Sequence, residues 1–245
     1  MAFLDGPRPY AFAHRGYSPD GDENTMTAFQ RAVDLGYTYL ETDVRVTADG
    51  VALAFHDATL DRLTDHRGRL DTIPWAVARR ARVAGREPIA LLADVLSTWP
   101  HTRINVDVKS SRAIQPTIDV VRRTGSADRV CIGAFATRRI TAVRRAFGAG
   151  LCTSYGPAAV VSLRVAGRAR ARGAGCVEAP ATVGGRPFIG RRYVHAAHAA
   201  GLPLIAYTVN RRREMDRLLD LGVDGIMTDR ADMLREVLQE RGQWQ

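Results

Sequence analysis

Lysine is almost missing from this chain of 245 residues. Of the 35 basic residues one, Lys109, is a lysine and the rest are arginines. A compact ammonium and a planar guanidinium are not interchangeable at a tight site, so Lys109 is a candidate for a position that arginine does not fit. Cysteine is scarce too: Cys131, Cys152 and Cys176 fall within or beside apolar runs. An odd count without metal-type spacing argues against a disulfide framework or a zinc site, and the three read as buried thiols. No apolar run approaches the roughly 20 residues that a membrane span needs. Met1 to Tyr10 lacks the apolar core of a secretory signal, so a cytoplasmic location is expected. There is no G-x-G-x-x-G opening and no P-loop for a nucleotide cofactor, and no G-x-S-x-G to support a nucleophilic serine.

What is present is ordinary for a globular protein, with 46% hydrophobic and 25% charged residues. The length is close to that of a (β/α)₈ barrel. The net charge of +9 and the pI of about 10.2 raise the question of nucleic acid. However, the arginines are scattered (Arg79, Arg80, Arg82; Arg122, Arg123; Arg168, Arg170, Arg172; Arg211, Arg212, Arg213) with few interleaved aromatics. They read as solvated helix faces, so no nucleic-acid partner is expected.

Short apolar runs alternate with longer amphipathic ones. Strands are expected at Tyr10 to Ala13, Tyr39 to Val44, Val51 to Phe55, Ile104 to Val108, Val130 to Ala134, Leu151 to Ser154, Cys176 to Glu178, Leu204 to Val209 and Gly225 to Met227. Helices are expected at Thr25 to Leu35, Ala90 to Trp99, Ala113 to Thr124, Thr137 to Phe147, Ala158 to Arg172, Arg191 to Ala200, Arg211 to Leu221 and Ala231 to Arg241. That alternation predicts a parallel sheet with helical crossovers, an α/β fold closed as a single (β/α)₈ TIM barrel. Val51 to Phe55 is a ninth run, taken as an extension or hairpin after the second strand, and the irregular stretch from Asp57 to Glu87 as a small excursion over the mouth. Asn210 and Asp229 look like N-caps, and Gly36, Gly201 and Gly222 like helix stops. No Pro-, Gly- or Ser-rich linker divides residues 1–245, so one domain is expected.

In such a barrel the chemistry comes from the C-terminal ends of strands. His14 and Arg15 end the first strand, Glu41 and Asp43 lie on the second, His56 and Asp57 follow its extension, and Asp107 and Lys109 lie on the third. Alternation puts Glu41 with Asp43, and Asp107 with Lys109, on common faces. Three carboxylates at one mouth repel one another, and a hard divalent ion, Mg²⁺ or Ca²⁺, would resolve that conflict. Ordinary ion pairs with arginines would also do so. His14 and His56 suit proton transfer near neutral pH, and Arg15 and Lys109 suit a phosphate. His66, His101, His195 and His198 read as surface residues. The set points to phosphoryl chemistry, since a glycosidase needs only its carboxylate pair.

These stretches also match a known family. AHRGY (Ala13 to Tyr17), ENTMTAF (Glu23 to Phe29), LETDVRVTADG (Leu40 to Gly50), AFHDATLDRLT (Ala54 to Thr64), NVDVKS (Asn105 to Ser110), YTVN (Tyr207 to Asn210) and GVDGIMTDR (Gly222 to Arg230) resemble the glycerophosphodiester phosphodiesterases in order and spacing. The resemblance covers nearly the whole chain. It implies a barrel that releases glycerol 3-phosphate and an alcohol from small glycerophosphodiesters, with His14 and His56 as acid and base. It implies metal ligation by Glu41 and Asp43, completed by Asp107, and phosphate contacts from Arg15 and Lys109. The implied scheme has the glycerol hydroxyl attack phosphorus, after which water opens a cyclic phosphate.

Three departures matter, the first for the length of a ligand arm and the last two for substrate fit. Asp107 stands where the family usually has glutamate, YSPDGD precedes Glu23, and Tyr207 replaces a commoner tryptophan. Glu178, at the end of the sixth strand, either contacts the substrate alcohol or pairs with an arginine, and Tyr207 is a second candidate contact. Asp107 also resembles the sphingomyelinase D-like phospholipases. A lysophospholipase D-type enzyme touching membrane surfaces transiently is therefore a competing reading, with Ile73, Pro74 and Trp75 of the excursion available as an apolar rim. A non-catalytic anion-binding barrel is the third.

Overall fold

A computed structural model of the chain describes residues 2–169 and 173–244. Eight parallel strands form the frame: β1 (Tyr10–His14), β2 (Tyr39–Val46), β3 (Arg103–Val108), β4 (Val130–Gly133), β5 (Cys152–Thr153), β6 (Val177–Pro180), β7 (Leu204–Tyr207) and β8 (Gly225–Thr228). Their order is β5-β4-β3-β2-β1-β8-β7-β6. The ends meet through a parallel bridge between Ser154 and Cys176, reinforced by the Tyr155 N–H donating to Cys176 O at 3.0 Å, which closes the barrel. Among the described residues eight helices of seven or more residues follow: α1 (Met26–Asp34), α2 (Leu92–Thr98), α3 (Ile114–Arg123), α4 (Thr137–Phe147), α5 (Pro157–Ala166), α6 (Arg191–Ala199), α7 (Arg212–Asp220) and α8 (Ala231–Glu240); a single turn, Trp75–Ala78, lies in the excursion after β2. The expected helix from Ala158 ends at Ala166, and part of its remainder, 170–172, lies outside the described residues.

Strand alternation sorts side chains into two layers. Ile104, Val106 and Val108 of β3 pack outward with Leu40 and Val44 of β2 against the helices, each buried aliphatic contributing roughly 1.5–3 kcal/mol. Asn105 and Asp107 point inward and line the cavity at the mouth. The floor of the barrel is plugged by Phe3, Tyr10, Phe12 and Tyr39, with the Tyr39 hydroxyl donating to Phe3 O at 2.9 Å. The three cysteines belong to this floor. They are free, fully buried thiols, and the barrel register brings their sulfurs within 4.8 Å of one another, which their spacing in sequence gave no sign of.

The run at Ala52–Ala54 is a short strand antiparallel to β2. The excursion after it carries its own small core (Leu60, Leu63, Leu70, Ala78, Ala81 and Val83) on Leu53 and Phe55. It stands beside the mouth rather than over it, because no residue from Asp57 to Glu87 lines the cavity. Ile73 and Trp75 pack against that small core, so they do not form the apolar rim expected of them. Gly36, Gly201 and Gly222 stop their helices with positive φ values of 93°, 72° and 82°, the conformation that favours glycine.

Candidate active site

The mouth holds a cavity of about 460 Å³ lined by His14, Arg15, Glu41, His56, Asn105, Asp107 and Lys109 on one side. Its formation starts with an unusual turn after β1. Arg15 and Asn24 both adopt left-handed backbone conformations, with φ of 59° and 60°, and the Asn24 N–H donates to Arg15 O at 2.9 Å. Gly16 (φ 82°) lies against the backbone of α1, where a Cβ would stand 2.6 Å from the Ala28 carbonyl carbon. Strain of this kind persists only where the surroundings fix it, and here it swings the Arg15 side chain back into the mouth. Asn24 then ties the turn to β2. Its amide donates to Asp43 Oδ2 at 3.0 Å and its carbonyl accepts from Thr42 Oγ1 at 2.7 Å.

Asp43 is wholly buried between two cations, with Arg15 Nε 2.8 Å from Oδ2 and Lys109 Nζ 2.7 Å from Oδ1. Burial opposes its charge, yet Lys109 and Arg15 outweigh burial and hold its carboxyl below the usual range. Lys109 also donates to Asp107 Oδ2 at 2.5 Å. Desolvation works against the ammonium, but Asp107 and Asp43 raise its pKa overall. Glu41 has no such cation in contact. Burial first and the Asp43 charge second push it up to about 7, and it accepts from the Arg15 N–H at 3.1 Å. Asp107 Oδ1 is buried with no hydrogen-bond partner. Two of the three expected metal ligands, Asp43 and Asp107, therefore share Lys109 Nζ, while Glu41 faces His14 and the Arg15 backbone N–H.

Both histidines have one ring nitrogen fixed by an aspartate. His14 Nδ1 lies 2.6 Å from Asp229 Oδ1, and His56 Nδ1 lies 2.6 Å from Asp57 Oδ1. Such a contact leaves Nε2 for a substrate; His14 Nε2 is 3.7 Å from Glu41 Oε2. Burial disfavours the charged His14 ring, but Glu41 and the Asp229 hydrogen bond prevail and raise its pKa. Asp57 is held far down, chiefly by hydrogen bonds from Arg62, which also bonds Glu23. Asp229 was expected as an N-cap. Instead it anchors His14, while Asn210, the other expected cap, donates to Asp229 Oδ2 at 2.6 Å; the residues at the helix starts are Arg211 and Arg230. The signal for this role was the TDR ending of the last motif, directly after β8 and thus at the mouth.

Among the described residues no arginine pairs with Glu178; the Asn105 amide donates to it at 2.6 Å. Burial, with Asp107 nearby, raises it to about 8. Tyr207 lines the same cavity. His101, His195 and His198 are exposed and His66 is half-buried, so all four lie apart from the site.

Closed parallel barrel, paired His–Asp contacts and buried cations at the C-terminal strand ends together define a TIM-barrel hydrolase of phosphoric diesters. The model of the Glycerophosphoryl diester phosphodiesterase family matches residues 14–233. "Probable glycerophosphodiester phosphodiesterase 2" of Mycobacterium tuberculosis is 40% identical over 253 residues, covering 100% of this chain and 96% of that protein. A glycerophosphodiester phosphodiesterase of Caldanaerobacter subterraneus is 28% identical, covering 94% of this chain and 98% of that one. Among solved structures, an Oleispira antarctica phosphodiesterase in complex with the product sn-glycerol-3-phosphate superposes with a TM-score of 0.80 at 21% identity, over 95% of this chain and 97% of that one. At that identity the likeness speaks for the fold alone. The chain belongs to the glycerophosphoryl diester phosphodiesterase family.

Proposed function

We propose that this protein cleaves glycerophosphodiesters to glycerol 3-phosphate and an alcohol, by acid–base action of His14 and His56 and with one divalent ion. The observation that carries the reading is the pair of cavity-lining histidines, each oriented by an aspartate, beside two phosphate-type cations. Arg15 and Lys109 neutralise the diester and hold it by charge-assisted hydrogen bonds. One histidine takes the proton of the attacking glycerol hydroxyl as the new P–O bond forms. The other gives a proton to the alcohol oxygen as the old P–O bond breaks. Water then opens the cyclic phosphate with the roles reversed, as microscopic reversibility requires.

The donor set suits a hard cation. Asp107 Oδ1 is buried without a partner, and Glu41 is held up at about 7 by burial and the neighbouring Asp43 charge. A bound Mg²⁺ or Ca²⁺ would relieve both, with Glu41, Asp43 and Asp107 as its ligands. When bound, it supplies further positive charge to the phosphoryl oxygens. The test is release of glycerol 3-phosphate from glycerophosphocholine by chelator-stripped protein, then with Mg²⁺ or Ca²⁺ restored. Calorimetric titration of each ion into wild type and Glu41→Gln accompanies it. Metal-dependent release and weaker binding by the variant are expected. Full activity after stripping would remove the metal from the scheme, and no release under any condition would remove the substrate class.

We further propose that residues 1–245 act as one domain and that the substrate is a small molecule rather than nucleic acid. No described helix is long and apolar enough to cross a membrane.

A further inference from the structure

All three cysteines of the chain meet at one point in the barrel floor. Cys131 lies on β4, Cys152 on β5 and Cys176 directly before β6. Strand register gathers them: Cys131 pairs with Cys152 across β4 and β5, and the bridge from Ser154 to Cys176 closes the barrel beside them. Their sulfurs all lie within 4.8 Å of one another, and Cys131 Sγ stands 3.8 Å from Cys176 Sγ. Free cysteine packs as a small hydrophobe, so alanine or valine would fill such a floor as well. Packing gives no reason for a chain that has cysteine nowhere else to place three sulfurs together.

The distances suit one ion. A trigonal cation about 2.3 Å from each of three thiolate sulfurs holds them about 4.0 Å apart, and the observed limit of 4.8 Å exceeds that by about 0.8 Å. The surroundings choose the kind of ion. The sulfurs share their cluster with Phe3, Tyr10, Phe12, Tyr39, Ile205 and Met227, an apolar layer. The Tyr10 and Tyr39 hydroxyls donate to Leu4 O and Phe3 O, and among the described residues no carboxylate or imidazole joins the group. Zinc takes a fourth ligand to complete its tetrahedron, and Mg²⁺ or Ca²⁺ takes oxygen. Three sulfurs in a dry layer suit a soft monovalent cation, Cu(I). Positive charge stands behind the strand, where Arg144 Nε donates to Thr153 Oγ1 at 2.7 Å and Nη2 to Ser154 O at 2.9 Å. Hydrogen bonds from Cys131 and Cys176, helped by the Arg144 charge, hold the Cys152 thiol below its usual value against the effect of burial.

We propose that Cys131, Cys152 and Cys176 form a three-sulfur site for one Cu(I), separate from the catalytic mouth, which clamps the seam where the barrel closes. That seam is thin. β5 is two residues long, and its junction with the β6 side rests on the Ser154–Cys176 bridge and on backbone hydrogen bonds from Tyr155 to Cys176 (3.0 Å) and from Gly175 to Thr153 (2.8 Å). An ion held from β4, β5 and the start of β6 ties all three across it. No electron is transferred on binding. Each thiol that ligates forms a Cu–S bond and gives its proton to solvent, and the copper stays Cu(I).

The test equilibrates the reduced full chain anaerobically with Cu(I) supplied as its bicinchoninate complex, and isolates a second sample from cells grown with added copper. One Cu(I) retained per chain is expected, with an X-ray absorption spectrum fitted by three sulfur ligands at about 2.3 Å and a Tm above that of the copper-free protein. Cys152→Ala and Cys176→Ala, with their fold checked by circular dichroism, should each compete with the chelator at least about tenfold more weakly and lose the gain in Tm. Absence of copper from both samples would overturn the site, as would undiminished binding by the folded variants. Copper held by nitrogen or oxygen ligands would also overturn it, because that places the ion in the mouth. Full occupancy with an unchanged Tm would overturn the clamp. Should an alanine variant fail to fold, the stoichiometry and ligand set of the wild type decide alone.

Discussion

The two halves of the barrel mouth are built on opposite principles. On the β1–β3 half, Asp43 is fully buried between Arg15 and Lys109, and each histidine is tied to an aspartate at 2.6 Å. On the β4–β7 half, valines and phenylalanines stand in the open with few polar partners. The charged half admits one arrangement, because moving any member leaves a buried charge uncompensated. The apolar half is tolerant, since dispersion and water exclusion have no direction. Reaction chemistry is thereby separated from the shape of the substrate's remainder, and each half can be perturbed alone.

The comparison breaks most sharply at the histidines. His14→Ala and His56→Ala should each lower kcat by about 10²–10⁴-fold in a glycerol 3-phosphate release assay. Equal rates in variants and wild type would remove the acid–base assignment. Next comes Lys109→Ala, which leaves Asp43 and Asp107 without their shared cation and should cost about 3–5 kcal/mol of stability in urea unfolding. Lys109→Arg should restore more of that stability than of the rate, because a guanidinium does not fit a site shaped for an ammonium. Equal recovery of both would end the special status of that residue.

Asp229→Asn is a milder probe of the same half. Burial disfavours the His14 charge, and Glu41 and Asp229 raise its pKa, so removing one anion should move the His14 limb of the kcat/KM pH profile to lower pH. A limb that stays in place would separate His14 from the profile. The smallest effect is expected at Glu178, raised to about 8 by burial. Its folded-state pKa lies above its unfolded value of about 4.3, so its favourable contribution is complete below that value. The contribution is lost as pH rises towards 8. The Tm of Glu178→Gln relative to wild type should therefore climb between pH 5 and pH 8; a difference independent of pH would contradict the buried-acid picture.

This contrast also explains what could be read before the fold was known. The charged half was legible because its residues are rare, polar and set at strand ends: His14, Arg15, Glu41, Asp43, His56, Asp107 and Lys109 all reach the site, and the hydrophobic alternation placed the eight strands and seven of the eight helices within a few residues, the helix from Ala158 ending at Ala166 instead of Arg172. Asp229 was mistaken for a cap, because a carboxylate before a helix carries the same local signature whether it binds backbone or a histidine 215 positions away in sequence. The apolar half was invisible, since Val161 or Phe135 in sequence reads as core. The rim was sought in Ile73 and Trp75, whose packing on the small satellite core depends on long-range contacts. The cysteine cluster is hidden for the same reason, because strand register rather than spacing gathers it.

The central claim concerns which P–O bond breaks. Phosphorus NMR of the products from glycerophosphocholine, with metal present, decides it: the account predicts glycerol 3-phosphate and free choline, whereas phosphocholine with free glycerol would contradict it.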